Sequence, residues 1–149
     1  MNLGETYRGH GISFQYPGHW ELTEEQGDET VTISVGDAGA FWSLTILNRR
    51  PHAEHVIEEA VKAFEDEYEE VDSYPLHARL AGESAQGKNL EFMAMELVNC
   101  VSLLSVEIGG RTLLVMSQVT DHEQDQFNPF FDAITASVTV APDSEIIIS

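Results

Sequence analysis

The chain has 149 residues, 42% of them apolar, and a formal net charge of −19 from 26 acidic side chains and seven lysines and arginines. This length and apolar content are typical of one compact domain with a substantial core. The negative charge repels phosphate backbones and anionic lipids, which argues against binding to nucleic acid or to anionic membranes. The preferred explanation of this negative charge is solubility or adaptation to a salty habitat. The alternative is an acidic face that binds a basic partner.

Two further features bear on the compartment. The N-terminus lacks the basic start and apolar stretch of a secretory signal, and no apolar run approaches the roughly 18 residues needed to span a membrane. We therefore expect a cytoplasmic protein. Cys100 is the single cysteine, which excludes an internal disulfide. Its apolar neighbours predict a buried, inert thiol instead of a nucleophile.

The first third of the chain has the period of β-strands. Ile12, Phe14 and Tyr16 alternate with polar residues, as in a strand with one buried face. Pro17-Gly18 predicts the two central positions of a type II turn, after which Trp20 would return to the core. Two more strands are predicted in ETVTISVG and AFWSLTILN, which are separated by the turn-rich segment GDAG.

After Pro51 the apolar residues recur at helical spacing, which predicts a helix over roughly residues 53–70. Its apolar stripe consists of Val56, Ile57, Ala60, Val61, Phe64 and Tyr68. The opposite face carries His55, Glu58, Glu59, Lys62, Asp66 and Glu69. A face of this kind is usually solvated, and its alternative role is to contact a basic partner.

Further strands are predicted in SYPLHARLAG, KNLEFMAMELVN, CVSLLSVEI and RTLLVMSQVT. Gly109-Gly110 joins the last two as a hairpin, since both positions tolerate a positive φ. These two strands carry apolar residues at odd and even positions alike, which predicts a sheet that is covered on both faces. The hairpins imply a mainly antiparallel sheet, so the predicted class is α+β.

A second helix is predicted within residues 120–140, where two start signals compete. Thr120 with Glu123 resembles a capping box, and Asn128 before Pro129 is the alternative start. Because proline disrupts a continuous helix, we expect a first turn followed by a kink or a restart. The residues expected to face the sheet are Phe127, Phe130, Phe131 and Ile134.

The chain shows no internal repeat or linker, and we predict one domain over residues 1–141 with a C-terminal tail, 142–149. Ile146–Ile148 in this tail are β-branched and would be unusual if fully solvated. They could add an edge strand, contact a neighbouring chain, or be disordered.

Three segments together resemble a known family. They are ISFQYPGHWEL, the helix segment HAEHVIEEAVKAF, and the closing pair GGRTLLVMSQV and FNPFFDAITASV. The chain resembles the PsbP-like fold, which is shared by the oxygen-evolving-complex subunit PsbP, the Ran-binding nuclear import factor and bacterial DcrB-type domains, with the Eag-type chaperones of secretion effectors as relatives. This resemblance implies an α-β-α sandwich with a twisted, mainly antiparallel sheet. It implies no activity and transfers no cofactor, and we predict none.

Two groups of residues that contain histidine are candidate sites. His52, His55 and Glu59 form the most metal-like group, but zinc needs three or four converging ligands and a solvated helix start explains them better. His19 beside Trp20 would need a nucleophile and an orienting acid to act as a base, so a turn residue is the better interpretation.

Aromatic and methionine side chains in the predicted strands are a further candidate site. Phe41 and Trp42, together with Phe92, Met93 and Met95, could line a ligand pocket. Such residues on strands are more often part of the core, which is the interpretation we favour.

We predict a non-enzymatic protein-binding, chaperone or scaffold domain, because the relatives implied by the resemblance mostly bind or scaffold proteins. The partner would be another protein, basic or carrying exposed apolar helices, and could also be a second copy of the chain. Glu58, Asp66 and Glu69 are the predicted contact residues. The alternative is a small-molecule or lipid-binding module with a pocket between the sheet and a helix.

Overall fold

The computed structural model describes residues 3–141, and the predicted tail with Ile146–Ile148 lies outside them. This part of the chain forms eleven strands and two α-helices. The elements are β1 (Gly4–Gly9), β2 (Ile12–Pro17), β3 (Glu21–Gln26), β4 (Thr30–Asp37), β5 (Ala40–Leu47), α1 (Ala53–Glu67), β6 (Asp72–Pro75), β7 (Ala78–Leu80), β8 (Glu83–Ala94), β9 (Leu97–Ile108), β10 (Arg111–Thr120), α2 (Gln124–Ser137) and β11 (Thr139–Val140).

The strands form two antiparallel sheets. The large sheet has the order β3-β4-β5-β10-β9-β8-β6, and β7 also pairs with β8. The small sheet has the order β1-β2-β11. Long hairpins join β8 to β9 and β9 to β10, so most of the large sheet is built from neighbours in sequence. The predicted α+β class with a mainly antiparallel sheet is confirmed.

Both faces of the large sheet are covered. On one face α1 packs through Ile57 onto Leu90 and Phe92 of β8 and Val101 and Leu103 of β9. On the other face α2 and the small sheet enclose the main core. Successive side chains of β9 and β10 point to opposite faces of the sheet, so alternate residues enter the two cores. This is why both strands are apolar at odd and even positions. The predicted two-sided sheet is confirmed.

The N-terminal turn differs from the prediction by one residue. The N–H of Trp20 donates to the Pro17 carbonyl at 3.0 Å, so Gly18 and His19 occupy the two central positions, and Gly18 has no positive φ. The reason is that Pro17 still pairs with Gly4 in the β1–β2 ladder, so the turn begins one residue later. It connects the small sheet to the edge of the large one instead of closing a hairpin.

The predicted end of α1 was wrong by three residues. The helix ends at Glu67, because Tyr68 adopts an extended backbone with φ −120° and ψ 146°. In this conformation the Tyr68 ring stacks on Phe92 with 4.1 Å between the ring centroids. Glu69 therefore lies beyond the helix, whereas Glu58 and Asp66 lie on it.

The predicted restart of α2 at Pro129 was also wrong. A 3₁₀ turn over Asp121–Glu123 leads directly into α2, which continues through Pro129 to Ser137. Pro129 has no N–H to donate to the carbonyl four residues earlier, which costs about 3 kcal/mol in a helix interior. Burial of Phe127, Phe131 and Ile134 on the same helix offsets this loss. Within the described residues neither helix has the length and apolarity of a transmembrane helix.

A polar contact joins the small sheet to the edge of the large one. The Tyr7 hydroxyl donates a hydrogen bond to the Glu24 carboxylate, and His10 Nε2 lies 3.6 Å from the same carboxylate. The hydrogen bond from Tyr7 is the main cause that lowers the pKa of Glu24, and desolvation partly offsets it. Burial raises the pKa of Tyr7, and the Glu24 carboxylate raises it further.

We expect Tyr7→Phe to change how stability depends on pH. A carboxyl whose pKa is lowered by folding contributes stability above its unfolded pKa, about 4.3, and loses it as the pH falls through the folded pKa. The difference in unfolding free energy between wild type and Tyr7→Phe should therefore shrink as the pH falls from about 6 to about 3. Urea denaturation across this range measures it. Tyr16→Phe is the control, because it removes a hydroxyl that has no carboxylate partner among residues 3–141. The difference in unfolding free energy between wild type and Tyr16→Phe should stay constant over the same pH range.

Candidate functional site

A cleft of about 630 Å³ lies between α2 and the strands β7 to β10. Its floor is the face of the large sheet that turns toward α2, and its walls come from α2 and from the β6–β7 segment. This volume falls within the roughly 300–1,000 Å³ of sites that bind small molecules. The cleft therefore has the size and position of a ligand site between the sheet and a helix.

A row of polar side chains crosses the floor of the cleft. Tyr74, Asn89, Ser102 and Ser117 are successive cross-strand partners on β6, β8, β9 and β10. Directly paired residues of antiparallel strands point to the same face, so all four side chains face α2. We call these four residues the polar row. The Ser102 hydroxyl donates to Asn89 Oδ1 at 2.7 Å, which fixes the middle of the row.

Trp42 of β5 lies next to Ser117, at the end of the polar row. It is the cross-strand partner of Ser117, and it is fully buried. Its indole Nε1 donates to the Thr135 hydroxyl of α2 at 2.9 Å. This hydrogen bond fixes α2 over the sheet next to the cleft, so the width of the cleft is set by a buried side chain and not by a loop.

Ser117 is the most informative member of the polar row. Its side chain lines the cleft while the residue as a whole is only 9% exposed, and its hydroxyl has no hydrogen-bond partner among residues 3–141. The hydroxyl oxygen itself is not fully enclosed and remains accessible from the cleft. A hydroxyl held in this way is ready to bond a ligand atom in the cleft.

The remaining lining is partly apolar and partly charged. Leu76, Leu104, Val115 and Phe131 supply an apolar wall on one side of the polar row. A mixed lining of apolar surface with a few fixed polar groups is typical of sites for metabolite-sized molecules. The arrangement can hold a molecule with one apolar part and one hydrogen-bonding part.

Cys100 lies in the cleft, next to Glu91, its cross-strand partner. Burial raises the pKa of the Cys100 thiol, and the negative charges of Glu91 and Asp121 raise it further. Asp72 and Glu91 likewise raise the pKa of the Tyr74 phenol. A thiol with a raised pKa is protonated at neutral pH and is a weak nucleophile, which agrees with the inert thiol predicted from the sequence. The prediction that this thiol is buried was wrong, because Cys100 is only half-buried and lines the cleft.

The three predicted partner-binding residues are exposed and lie away from this cleft. Glu58 and Asp66 project from α1, which packs on the opposite face of the large sheet, and Glu69 follows the end of that helix. Their role in partner binding stays a prediction.

The histidine clusters have separate partners. His52 Nδ1 lies 3.5 Å from Glu107, whereas His55 Nε2 lies 3.9 Å from Glu59. Within residues 3–141 no group of three potential ligands converges on one point, so His52, His55 and Glu59 do not form a metal site there. His19 is exposed in the turn before Trp20.

An exposed apolar group occupies the tip of the β8–β9 hairpin. Met93, Met95 and Leu97 are solvated there, with Met95 95% exposed, so the prediction that Met93 and Met95 belong to the core was wrong. The two turn residues Met95 and Glu96 both have positive φ, at 53° and 65°. The turn directs Met95 into solvent, beyond the reach of both cores.

The polar row is the feature that the sequence interpretation missed. Asn89, Ser102 and Ser117 stand at core-facing positions of strands whose neighbours on that face include Leu104, Val115 and Val119. Polar residues at buried positions of several strands were the available signal. They become one row only when the register of four strands is known, and the register does not follow from single strands.

The geometry described above defines an α+β sandwich with a ligand-sized cleft beneath one helix, and its fold is PsbP-like. The cyanobacterial PsbP from Synechocystis sp. PCC 6803 is similar over 91% of each chain, with a TM-score of 0.63 and 15% identity. LpqN, involved in cell envelope biogenesis of Mycobacterium tuberculosis, is similar over 88% of this chain and 83% of its own, with a TM-score of 0.54 and 14% identity.

A protein from Bacteroides thetaiotaomicron VPI-5482 also matches 95% of this chain, with a TM-score of 0.63 and 11% identity, and the match spans half of that protein. Neither a protein-family model nor a curated protein matches the chain in sequence. At these identities the similarity shows the fold alone. The PsbP-like fold predicted from the sequence is confirmed.

Proposed function

We propose that this protein is a non-enzymatic binding domain that holds a small molecule in the cleft between α2 and the large sheet. The observation that carries the proposal is the hydroxyl of Ser117, which has no hydrogen-bond partner among residues 3–141 and is accessible from a cleft of about 630 Å³ beside a fixed row of polar side chains. A ligand atom can bond this hydroxyl without breaking a hydrogen bond within the protein.

The chemistry of the cleft favours binding over catalysis. The raised pKa of Cys100 works against a thiolate nucleophile. The polar row gives the site hydrogen-bonding capacity, which suits a polar metabolite better than a lipid tail.

Chemical-shift mapping of the ¹⁵N-labelled protein with a library of neutral and charged fragments tests the proposal. We expect the binding fragments to shift the amide signals of Asn89, Ser102 and Ser117 more than those of α1. If the fragments bind only outside the cleft, or if none binds, the proposal is wrong.

A second candidate function is the protein-binding or chaperone role predicted from the sequence. The observation that favours it is the exposed apolar group of Met93, Met95 and Leu97, since exposed clustered apolar side chains often mark protein contacts. The acidic face of α1 would then add attraction to a basic partner.

Reversing Glu58, Asp66 and Glu69 to lysine tests that role. All three side chains are exposed, so we expect the free energy of unfolding to change by no more than about 0.5 kcal/mol per site. Capture of a partner from extracts of the native host, followed by an affinity measurement, should show weaker binding. The matched control reverses Glu21, Glu25 and Asp28 near β3, which changes the net charge equally. Equal loss in both variants, or unchanged affinity in the first, would exclude the α1 face.

A further inference from the structure

We infer that the ligand of the cleft carries a cationic nitrogen, as a primary amine of metabolite size does. The inference rests on the proposed function, because it names the class of molecule that the same cleft would hold. Its basis is the distribution of charge around the polar row, taken together with the unpartnered Ser117 hydroxyl.

Two carboxylates line the cleft without a cation of their own. Glu91 lies two residues from Asn89 on the same face of β8, and Asp132 lies on α2. Within residues 3–141 neither carboxylate forms an ion pair. Asp72 is the cross-strand partner of Glu91 and adds negative charge at the same end of the polar row.

Arg79 also lines the cleft and adds one positive charge to it. Its Nη2 donates a hydrogen bond to the Gly82 carbonyl at the turn between β7 and β8, which orients the guanidinium without neutralising it. Glu91 and Asp132 still outnumber this cation, and neither forms an ion pair with it. An ammonium group would therefore be attracted to the cleft more than an anion would.

The parts of the cleft match an amine with an apolar body. The ammonium group would lie near Glu91 and Asp132, and a hydroxyl or carbonyl of the ligand would bond the Ser117 hydroxyl. The apolar part would pack on Leu104 and Phe131. Each region of the cleft thus has a matching group in one small molecule.

Three probes with one ring and different charge test the inference: benzylamine, benzyl alcohol and benzoate. Each is titrated at neutral pH and physiological ionic strength into the ¹⁵N-labelled full chain, and the amide shifts of Asn89, Ser102 and Ser117 are followed. We expect benzylamine to bind about ten-fold more tightly than benzoate, with benzyl alcohol between them. Glu91→Gln and Asp132→Asn should each reduce this preference by roughly two- to five-fold.

The control separates the cleft from the general negative charge of the protein. Glu65→Gln removes an exposed carboxylate of α1, on the other side of the sheet, and should leave the preference for benzylamine unchanged. If benzoate binds in the cleft as tightly as benzylamine, or if Glu65→Gln and Glu91→Gln have equal effects, the inference is wrong while the proposed function stands. If no probe shifts the cleft signals, both are wrong.

Discussion

Replacing Trp20 with alanine should lower the free energy of unfolding by about 3–5 kcal/mol, the usual range for a buried aromatic side chain. Trp20 is 5% exposed and lies against three aromatic rings of α2. Its ring centroid is 5.8 Å from that of Phe127, 5.6 Å from Phe130 and 6.0 Å from Phe131. The substitution removes contacts with all three rings and leaves a cavity between the N-terminal segment and α2.

Urea or thermal denaturation of wild type and Trp20→Ala measures this loss. His19→Ala is the matched control, because His19 precedes Trp20 in the same turn and is exposed. It should change the free energy of unfolding by no more than about 0.5 kcal/mol. A near-neutral Trp20→Ala would show that the ring does not hold α2, and the position of one wall of the cleft would be in doubt.

Replacing Ser117 with valine should abolish most ligand binding without weakening the fold. Valine suits a central strand, and the substitution removes a hydroxyl that has no partner among residues 3–141. The added methyl groups enter the open space of the cleft. We therefore expect the free energy of unfolding to stay within about 1 kcal/mol of wild type or to rise. Affinity for a cleft-binding fragment should fall by at least about ten-fold, or 1.4 kcal/mol.

Two effects reduce affinity in Ser117→Val, the loss of the hydroxyl and the filling of the cleft by the added methyl groups, and Ser117→Ala separates them. It removes the hydroxyl and keeps the space, so affinity should fall less than in Ser117→Val. Titration of both variants with the same fragment, alongside their denaturation curves, gives the comparison. Unchanged affinity in Ser117→Val would place the ligand elsewhere, and a large loss of stability would show that no open space adjoins the hydroxyl.

The fold could be predicted from periodicity because local patterns specified it. The apolar stripe of α1 and the two-sided apolar pattern of β9 and β10 both have direct physical causes in the packing of the two cores. The errors came from tertiary contacts that act against local signals. Stacking of Tyr68 on Phe92 ends α1 early, and burial of Phe131 beyond Pro129 keeps α2 continuous.

The site could be predicted only in outline. A pocket between the sheet and a helix was one of the two predicted alternatives, but its residues were not identified. Asn89, Ser102 and Ser117 are separated by 13 and 15 positions and meet only through the register of β8, β9 and β10. Periodicity shows which face a residue occupies, whereas the shift of one strand against the next depends on the whole sheet.

A crystallographic fragment screen is the most direct test of the claim that the cleft under α2 is the binding site. The account predicts that bound fragments will concentrate between α2 and β8–β10, with a polar atom within hydrogen-bond distance of the Ser117 hydroxyl. The account would be contradicted if fragments bound to other surfaces and none bound in the cleft.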